Sequence, residues 1–266
     1  MANCSAVTIP LSDIERIEIY INSPRKTLAA IKKATGADYL LNGTLYDMKT
    51  GVVNCHLKAD GKVIKKPGYT VHGYAWDKGP DIAMTVLPAA DKANYIACTP
   101  IIKAGKKLAL TYDAGQGGSR GRSAIGIKDG CLALYCSKDG SSASRTPEKL
   151  CDELFSAGWD SAVMLDGGGS SQCNFAGKTI NSTRKVQHLI LVYRKKTYTE
   201  PTTSIRSGSR GNGAKWVQDR LNQNGGDLVV DGIFGAKSVA ALKAYQKSKG
   251  LEVDGICGPK TREALR

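Results

Sequence analysis

The chain has 266 residues, 41% apolar and 23% charged, a balance that excludes disordered and fibrous classes and suits one large domain or a medium one with an appendage. Its formal charge of +14 divides into +4 over residues 198–266 and +10 over the rest, a spread field that favours polyanionic partners. No apolar stretch reaches the roughly 18–20 residues of a membrane span, and the opening "MANCSAVTIPLSDIERIEIYINS" lacks the basic and apolar regions of a signal peptide, so synthesis in a cytoplasm without membrane insertion is expected.

In chain order, "IERIEIYI" (14–21) alternates apolar and polar residues as a half-buried strand does. "SPRKTLAAIKKATG" (23–36) predicts a helix with Ser23 as cap, Pro24 in the first turn and Gly36 past its end. "LLNGTLYD" (40–47) is an apolar strand broken by Asn42-Gly43, with Asp47 just beyond. "SAIGIKDGCLALYCS" (123–137) predicts two strands joined by an Asp129-Gly130 turn. "TPEKLCDELFSAG" (146–158) predicts a helix capped by Thr146, with Pro147 at its first position and Gly158 at its C-terminal end. "SAVMLD" (161–166) and "HLILVY" (188–193) are buried strands. Hairpins outnumber helices, which predicts an α+β domain over residues 1–197, built on a mixed or mainly antiparallel sheet.

Residues 198–212 have linker composition, rich in Ser, Gly, Thr and Arg. Beyond them "DGIFGAKS" (231–238) recurs as "DGICGPKT" (254–261). Trp216, Val217 and Leu221, then Val239, Leu242 and Tyr245, lie at helical spacing. A small three-helix module over 213–266 follows from this pattern. The eight cysteines form no C-x-x-C pair and only three histidines occur, so reduced thiols are expected and no metal or other cofactor is implied.

The stretch "MLDGGGSSQ" (164–172) ends a strand on Asp166 and follows it with three glycines. Gly167, Gly168 and Gly169 permit φ > 0 and allow successive amides to converge on an anion, while Ser170 adds a hydroxyl. A tight turn in which Asp166 bonds its own backbone accounts for the same residues. Arg122 in "GRSAIGI" and Arg184 in "STRKVQHLILV" each stand before a strand, as planar donors for phosphate or as solvated surface charges.

Taken in order, "NGTLYD", "GRSAIGI-DG", "AVMLDGGGSS" and "TRKVQHLILVY" resemble the phosphodiester glycosidase family, over about residues 10–195. Thr44 stands where that family usually has a second glycine. The resemblance implies hydrolysis of a sugar-1-phosphate diester at the anomeric carbon. It implies that Arg122, Arg184 and the Gly167–Gly169 amides hold phosphate, and that Asp166 stabilises a cationic sugar or activates water. Asn42, beside Gly43, and Ser170 would fix sugar hydroxyls, and Asp47 would be the second carboxylate. Residues 213–266 resemble the peptidoglycan-binding domain type 1 family through Gln218, Asp231-Gly232, Phe234-Gly235, Gln246, Asp254-Gly255 and Thr261.

Together these imply a cell-wall-degrading hydrolase with the layout of a phage endolysin, released to act at the wall. Its partners are expected to be peptidoglycan or wall teichoic acid, an anionic glycan substrate, and no nucleic acid. Two other readings share these features: a hydrolase of a soluble or capsular sugar phosphodiester, and a wall-binding or virion structural protein.

Overall fold

The computed structural model describes residues 3–66, 72–86 and 92–266. The chain divides into two compact units, Met1–Lys195 and Lys196–Arg266.

Strands and helices are numbered in chain order. One sheet of the first unit runs β1 (Cys4–Pro10), β12 (Cys131–Ser137), β11 (Ser123–Lys128), β13 (Ser161–Met164), β9 (Thr99–Lys103) and β10 (Lys106–Lys107). A second runs β15 (Lys178–Ile180), β14 (Cys173–Phe175), β3 (Tyr39–Asn42), β16 (His188–Arg194) and β2 (Ile14–Ile21). A third runs β5 (Lys62–Lys65), β4 (Leu57–Ala59), β8 (Asn94–Ala97), β6 (Gly73–Trp76) and β7 (Ala83–Thr85). Every pairing among them is antiparallel. The β11–β12 hairpin turns at Asp129-Gly130, both with φ > 0, as a two-residue turn of this twist requires.

Successive residues of the central strands feed two different cores. In β16, Ile190 and Val192 join the main core between the sheets, while Leu189, Leu191 and Tyr193 pack under α1 (Leu28–Thr35) with Leu28 and Ile31. In β13, Val163 faces the main core while Ala162 and Met164 face α2 (Pro147–Ser156) through Leu150, Cys151 and Leu154. Burial on both faces is why these antiparallel strands are continuous apolar runs, a pattern more usual in parallel sheets. Each such side chain contributes roughly 1.5–3 kcal/mol when fully buried.

Helix α2 begins and caps as its sequence predicts, with Thr146 accepting from the Lys149 amide. Helix α1 does not: it starts at Leu28 with Thr27 as its cap, and Gly36 closes it in the left-handed conformation. Asn22 is the reason. Its side chain bonds both the amide and the carbonyl of Lys26 and reaches Val186 O, fixing a turn with Arg25 at φ 55°. Residues 23–26 are thereby withheld from the helix.

The second unit holds α3 (Asn212–Gln223), α4 (Ala236–Ser248) and α5 (Pro259–Leu265) around Trp216, Val217, Leu221, Phe234 and Leu242. The repeat seen in sequence has a structural counterpart in two buried glutamines. Gln218 bonds Asp231 Oδ1, Ile233 O and the Gly232 amide; Gln246 bonds Asp254 Oδ1, Ile256 O and the Gly255 amide. Residues 198–212, linker-like in composition, are ordered on this core: Ile205 is buried and pairs with Cys257, and Arg210 pairs with Ile233. All eight cysteines are free thiols, and six of them are buried. No helix among the described residues is long and apolar enough to cross a membrane.

Candidate active site

Antiparallel pairing places the end of one strand beside the start of its neighbour. Asp166 follows β13, and Arg122 precedes β11, which pairs with it. Asn42 ends β3, and Arg184 lies just before β16, which pairs with that. Two cross-links join the sheets here: the Asp166 amide donates to Gly43 O at 3.1 Å, and Asn42 Nδ2 donates to Asp166 O at 2.8 Å. Residues scattered from 42 to 184 therefore meet at one edge.

A cavity of about 230 Å³ opens there, lined among others by Tyr46, Gln116, Arg120, Arg122, Met164, Asp166, Gly167, Gly168 and Arg184. Asp166 is 7% exposed, and burial pushes its carboxyl up to about 6, opposed by the Gly167 amide and the charge of Arg184. Ser170 Oγ lies beside this carboxyl, fully buried, without meeting hydrogen-bond geometry to any partner. Arg184 is exposed on the cavity wall and forms no salt bridge among the described residues.

The three glycines are required for three reasons. A β-carbon on Gly167 would stand 2.7 Å from Gly121 O, Gly168 has φ +58°, and a β-carbon on Gly169 would stand 2.5 Å from Thr183 Oγ1. They do not form the expected three-amide cradle. The Gly167 amide donates to Asp166 Oδ1 at 2.9 Å and the Gly168 amide to Gly121 O at 2.8 Å, which leaves at most the Gly169 amide for a ligand. Asp166 thus does bond its own backbone, and it lines the cavity as well.

Three further expectations are corrected. Asn42 is completely buried and all its bonding capacity is used: Nδ2 donates to Asp166 O and Gly43 O, while Oδ1 accepts from Ser123 Oγ and the Gln172 amide. It holds the Asp166 backbone and has nothing left for a sugar. Arg122 lines the cavity, but its guanidinium already donates to Arg145 O, Gln116 O and Gly118 O at 2.6–2.8 Å. It clamps the loop over 114–118, and burial holds its pKa below the usual arginine value. Asp47 is exposed and occupied by its own turn, accepting from the Lys49 and Thr50 amides and from Thr50 Oγ1. Its neighbours Tyr46 and Met48 line the cavity and Asp47 does not.

Gly43 makes room for a residue the sequence reading left out. A β-carbon there would overlap the ring of His188, whose Nε2 accepts from the Thr44 amide at 2.9 Å. Burial lowers the His188 pKa to about 4, so the ring is neutral. Thr44 turns away from the cavity and donates to Ala97 O, tying β3 to the third sheet. Arg120 and Gln116 were also missed; the doublet "RGR" at 120–122 and the glycines around Gln116 are the signals that mark them. Among the described residues no cluster of three or more His, Cys, Asp or Glu is arranged to hold a metal.

The phosphodiester glycosidase family model matches residues 30–193. The chain belongs to the phosphodiester glycosidase family. The peptidoglycan-binding domain model matches residues 210–265, so this member of the family carries a peptidoglycan-binding domain behind its glycosidase domain. The zebrafish N-acetylglucosamine-1-phosphodiester α-N-acetylglucosaminidase catalytic domain is similar in fold, with TM-score 0.57 at 14% identity over 73% of this chain and 89% of that one. A hypothetical protein from Synechocystis gives TM-score 0.62 at 12% identity, covering 72% and 59% of the two chains. Among curated proteins, N-acetylmuramoyl-L-alanine amidase CwlL of Bacillus licheniformis is 41% identical over 66 residues, 24% of this chain and 18% of that protein. A spore cortex-lytic enzyme of Bacillus cereus is 40% identical over 62 residues, 23% of this chain and 24% of that protein. The phosphodiester glycosidase chain thus spans a quarter or less of the length of these curated relatives.

Proposed function

We propose that the protein is a cell-wall hydrolase that cleaves a sugar-1-phosphodiester at the anomeric carbon, held at its target by the peptidoglycan-binding domain. The observation that carries this reading is the buried Asp166 carboxyl in a cavity walled by Arg120, Arg122 and Arg184. A phosphodiester leaves as a weakly basic anion, so protonating the leaving group matters less than neutralising it. Arg184 and Arg120 hold the phosphate, and Arg122 fixes the loop that closes their side. Asp166, with a pKa of about 6, is ionised at neutral pH yet basic enough to take a proton from water attacking the anomeric carbon. The C1–O bond breaks, water supplies the new hydroxyl, and a free sugar and a phosphomonoester leave.

The module raises the local concentration of the glycosidase at the wall, a gain that depends on both parts reaching it together. A hydrolase domain joined to a wall-binding domain is the layout of wall-lytic enzymes, phage endolysins among them, and action at the wall after release belongs to this proposal. The basic charge suits a wall bearing anionic polymers such as teichoic acid.

The test is mass spectrometry of fragments released from purified walls and from a synthetic N-acetylglucosamine-1-phosphodiester, with Asp166→Asn in parallel. New reducing ends paired with new phosphomonoesters are expected, and none from the variant. Equal digestion by Asp166→Asn removes Asp166 from the chemistry; release of peptide fragments instead places the cut in another bond.

A further inference from the structure

A second and larger depression adjoins the Asp166 cavity. Its volume is about 680 Å³, and Leu45, Gly115 and Gln116 line both it and the cavity. At about 230 Å³ the cavity is smaller than a typical small-molecule site of roughly 300–1,000 Å³, whereas the groove lies well within that range. Space beside the carboxyl suffices for the reacting unit and little more.

The two compartments differ in chemistry. Three arginines line the cavity; among the described residues no lysine or arginine lines the groove, and Asp113 is its one carboxylate. His72 also lies on it, and partial burial and the neighbouring Lys103, whose Nζ is 2.8 Å from Nε2, both lower its pKa. Besides Asp113 and His72, the groove groups that can bond a ligand are the uncharged Asn54, Thr99, Thr111, Gln116 and Tyr112, whose hydroxyl donates to Glu148. An aromatic ring among hydroxyls and amides is what a sugar or polyol surface meets well. Gln116 stands at the junction. Arg122 fixes its carbonyl at 2.8 Å, and its Oε1 accepts from Thr99 Oγ1 at 3.3 Å, so the loop that Arg122 clamps also forms the border between compartments.

We infer that the substrate is an extended chain whose phosphodiester sits in the arginine-lined cavity while an uncharged glycan segment of at least one further unit lies in the groove. This rests on the hydrolase reading above and narrows its substrate class to polymers or oligomers.

The test uses the full chain and two substrates: N-acetylglucosamine-1-phosphate as its methyl ester, and the same phosphate esterified to a neutral tetrasaccharide. Ala109 is exposed on the groove and absent from the cavity, so Ala109→Trp obstructs the former alone. Wild type is expected to prefer the long ester by about tenfold or more in kcat/KM, and the variant to lose that preference while holding the short ester within about twofold. Equal use of both esters by wild type, or an equal loss on both in the variant, overturns the inference. Equilibrium binding of the long ester to both proteins is the second arm, where any contribution from the C-terminal module cancels in the comparison. If wild type cleaves neither ester but Ala109→Trp binds the long one more weakly, the groove stands and the hydrolase reading falls. Unchanged binding overturns the groove itself.

Discussion

Asn42 Nδ2 donates to the main-chain oxygen of Asp166 at 2.8 Å, across 124 residues of sequence and between two different sheets. With Oδ1 held by Ser123 and Gln172, this side chain sets the backbone that carries the carboxyl. Asn42→Ala orphans the buried Asp166 carbonyl and Gln172 amide, because Gly43 O keeps the Asp166 amide and Ser123 Oγ keeps Cys136 Sγ, and each orphan costs roughly 1–3 kcal/mol. The expected loss is about 2–4 kcal/mol of stability in urea, with kcat falling more than KM rises because the carboxyl is displaced.

Asp166→Asn should be inactive and, at neutral pH, more stable than wild type. The folded pKa of about 6 lies above the unfolded 3.8, so the native state binds the extra proton and stability falls as pH rises between those values. The full penalty, about 3 kcal/mol for a shift of roughly two units, is in force above pH 6 and absent below pH 4. Urea titrations of the two proteins should therefore diverge between pH 4 and 6 and coincide below. Loss of activity with gain of stability marks a group held for function.

His188 has the opposite sign. Its folded pKa of about 4 lies below the unfolded 6.5, so the unfolded state binds the proton and stability rises with pH between the two. Over about pH 4–6 the two groups oppose each other in wild type. Removing the Asp166 charge should expose the His188 slope, visible as stability that climbs with pH in Asp166→Asn; a flat profile in that variant would contradict a neutral buried ring.

The arginines should separate by readout. Arg184→Ala removes an exposed donor and is expected to lower kcat/KM by roughly 10²–10³ with little change in unfolding. Arg122→Ala leaves the Gln116 and Gly118 carbonyls without their donor, while Arg145 O keeps the Arg120 amide, and should cost about 2–4 kcal/mol of stability as well. Paired urea curves and kinetics distinguish the two.

Alanine at the three glycines should rank by what the new methyl meets. At Gly167 it strikes a backbone oxygen, which cannot move aside. At Gly169 it strikes a threonine side chain, which can shift in part. At Gly168 there is room, and only φ +58° opposes it, at about 1–2 kcal/mol. Thermal unfolding of the three variants should follow that order, with Gly168→Ala the mildest.

The sequence by itself determined local structure wherever neighbours in the chain decide it: the Asp129-Gly130 hairpin, the Thr146-capped helix, the apolar runs of β13 and β16, and the repeated Asp-Gly turns of the module. It also marked Asp166, its glycines and Arg184 as residues worth placing. Helix α1 was misjudged at its start because the Asn22 bond to Val186 spans 164 residues, beyond any local pattern. Only the tertiary structure decided what each polar side chain does. Asn42 and Arg122 have the composition of ligand-binding residues, yet their donors are spent on carbonyls brought in from elsewhere in the fold. His188 carries no local signal and matters through what antiparallel pairing sets beside it. A side chain's chemistry is written in its own atoms, but whether those atoms are free for a substrate depends on partners that folding delivers.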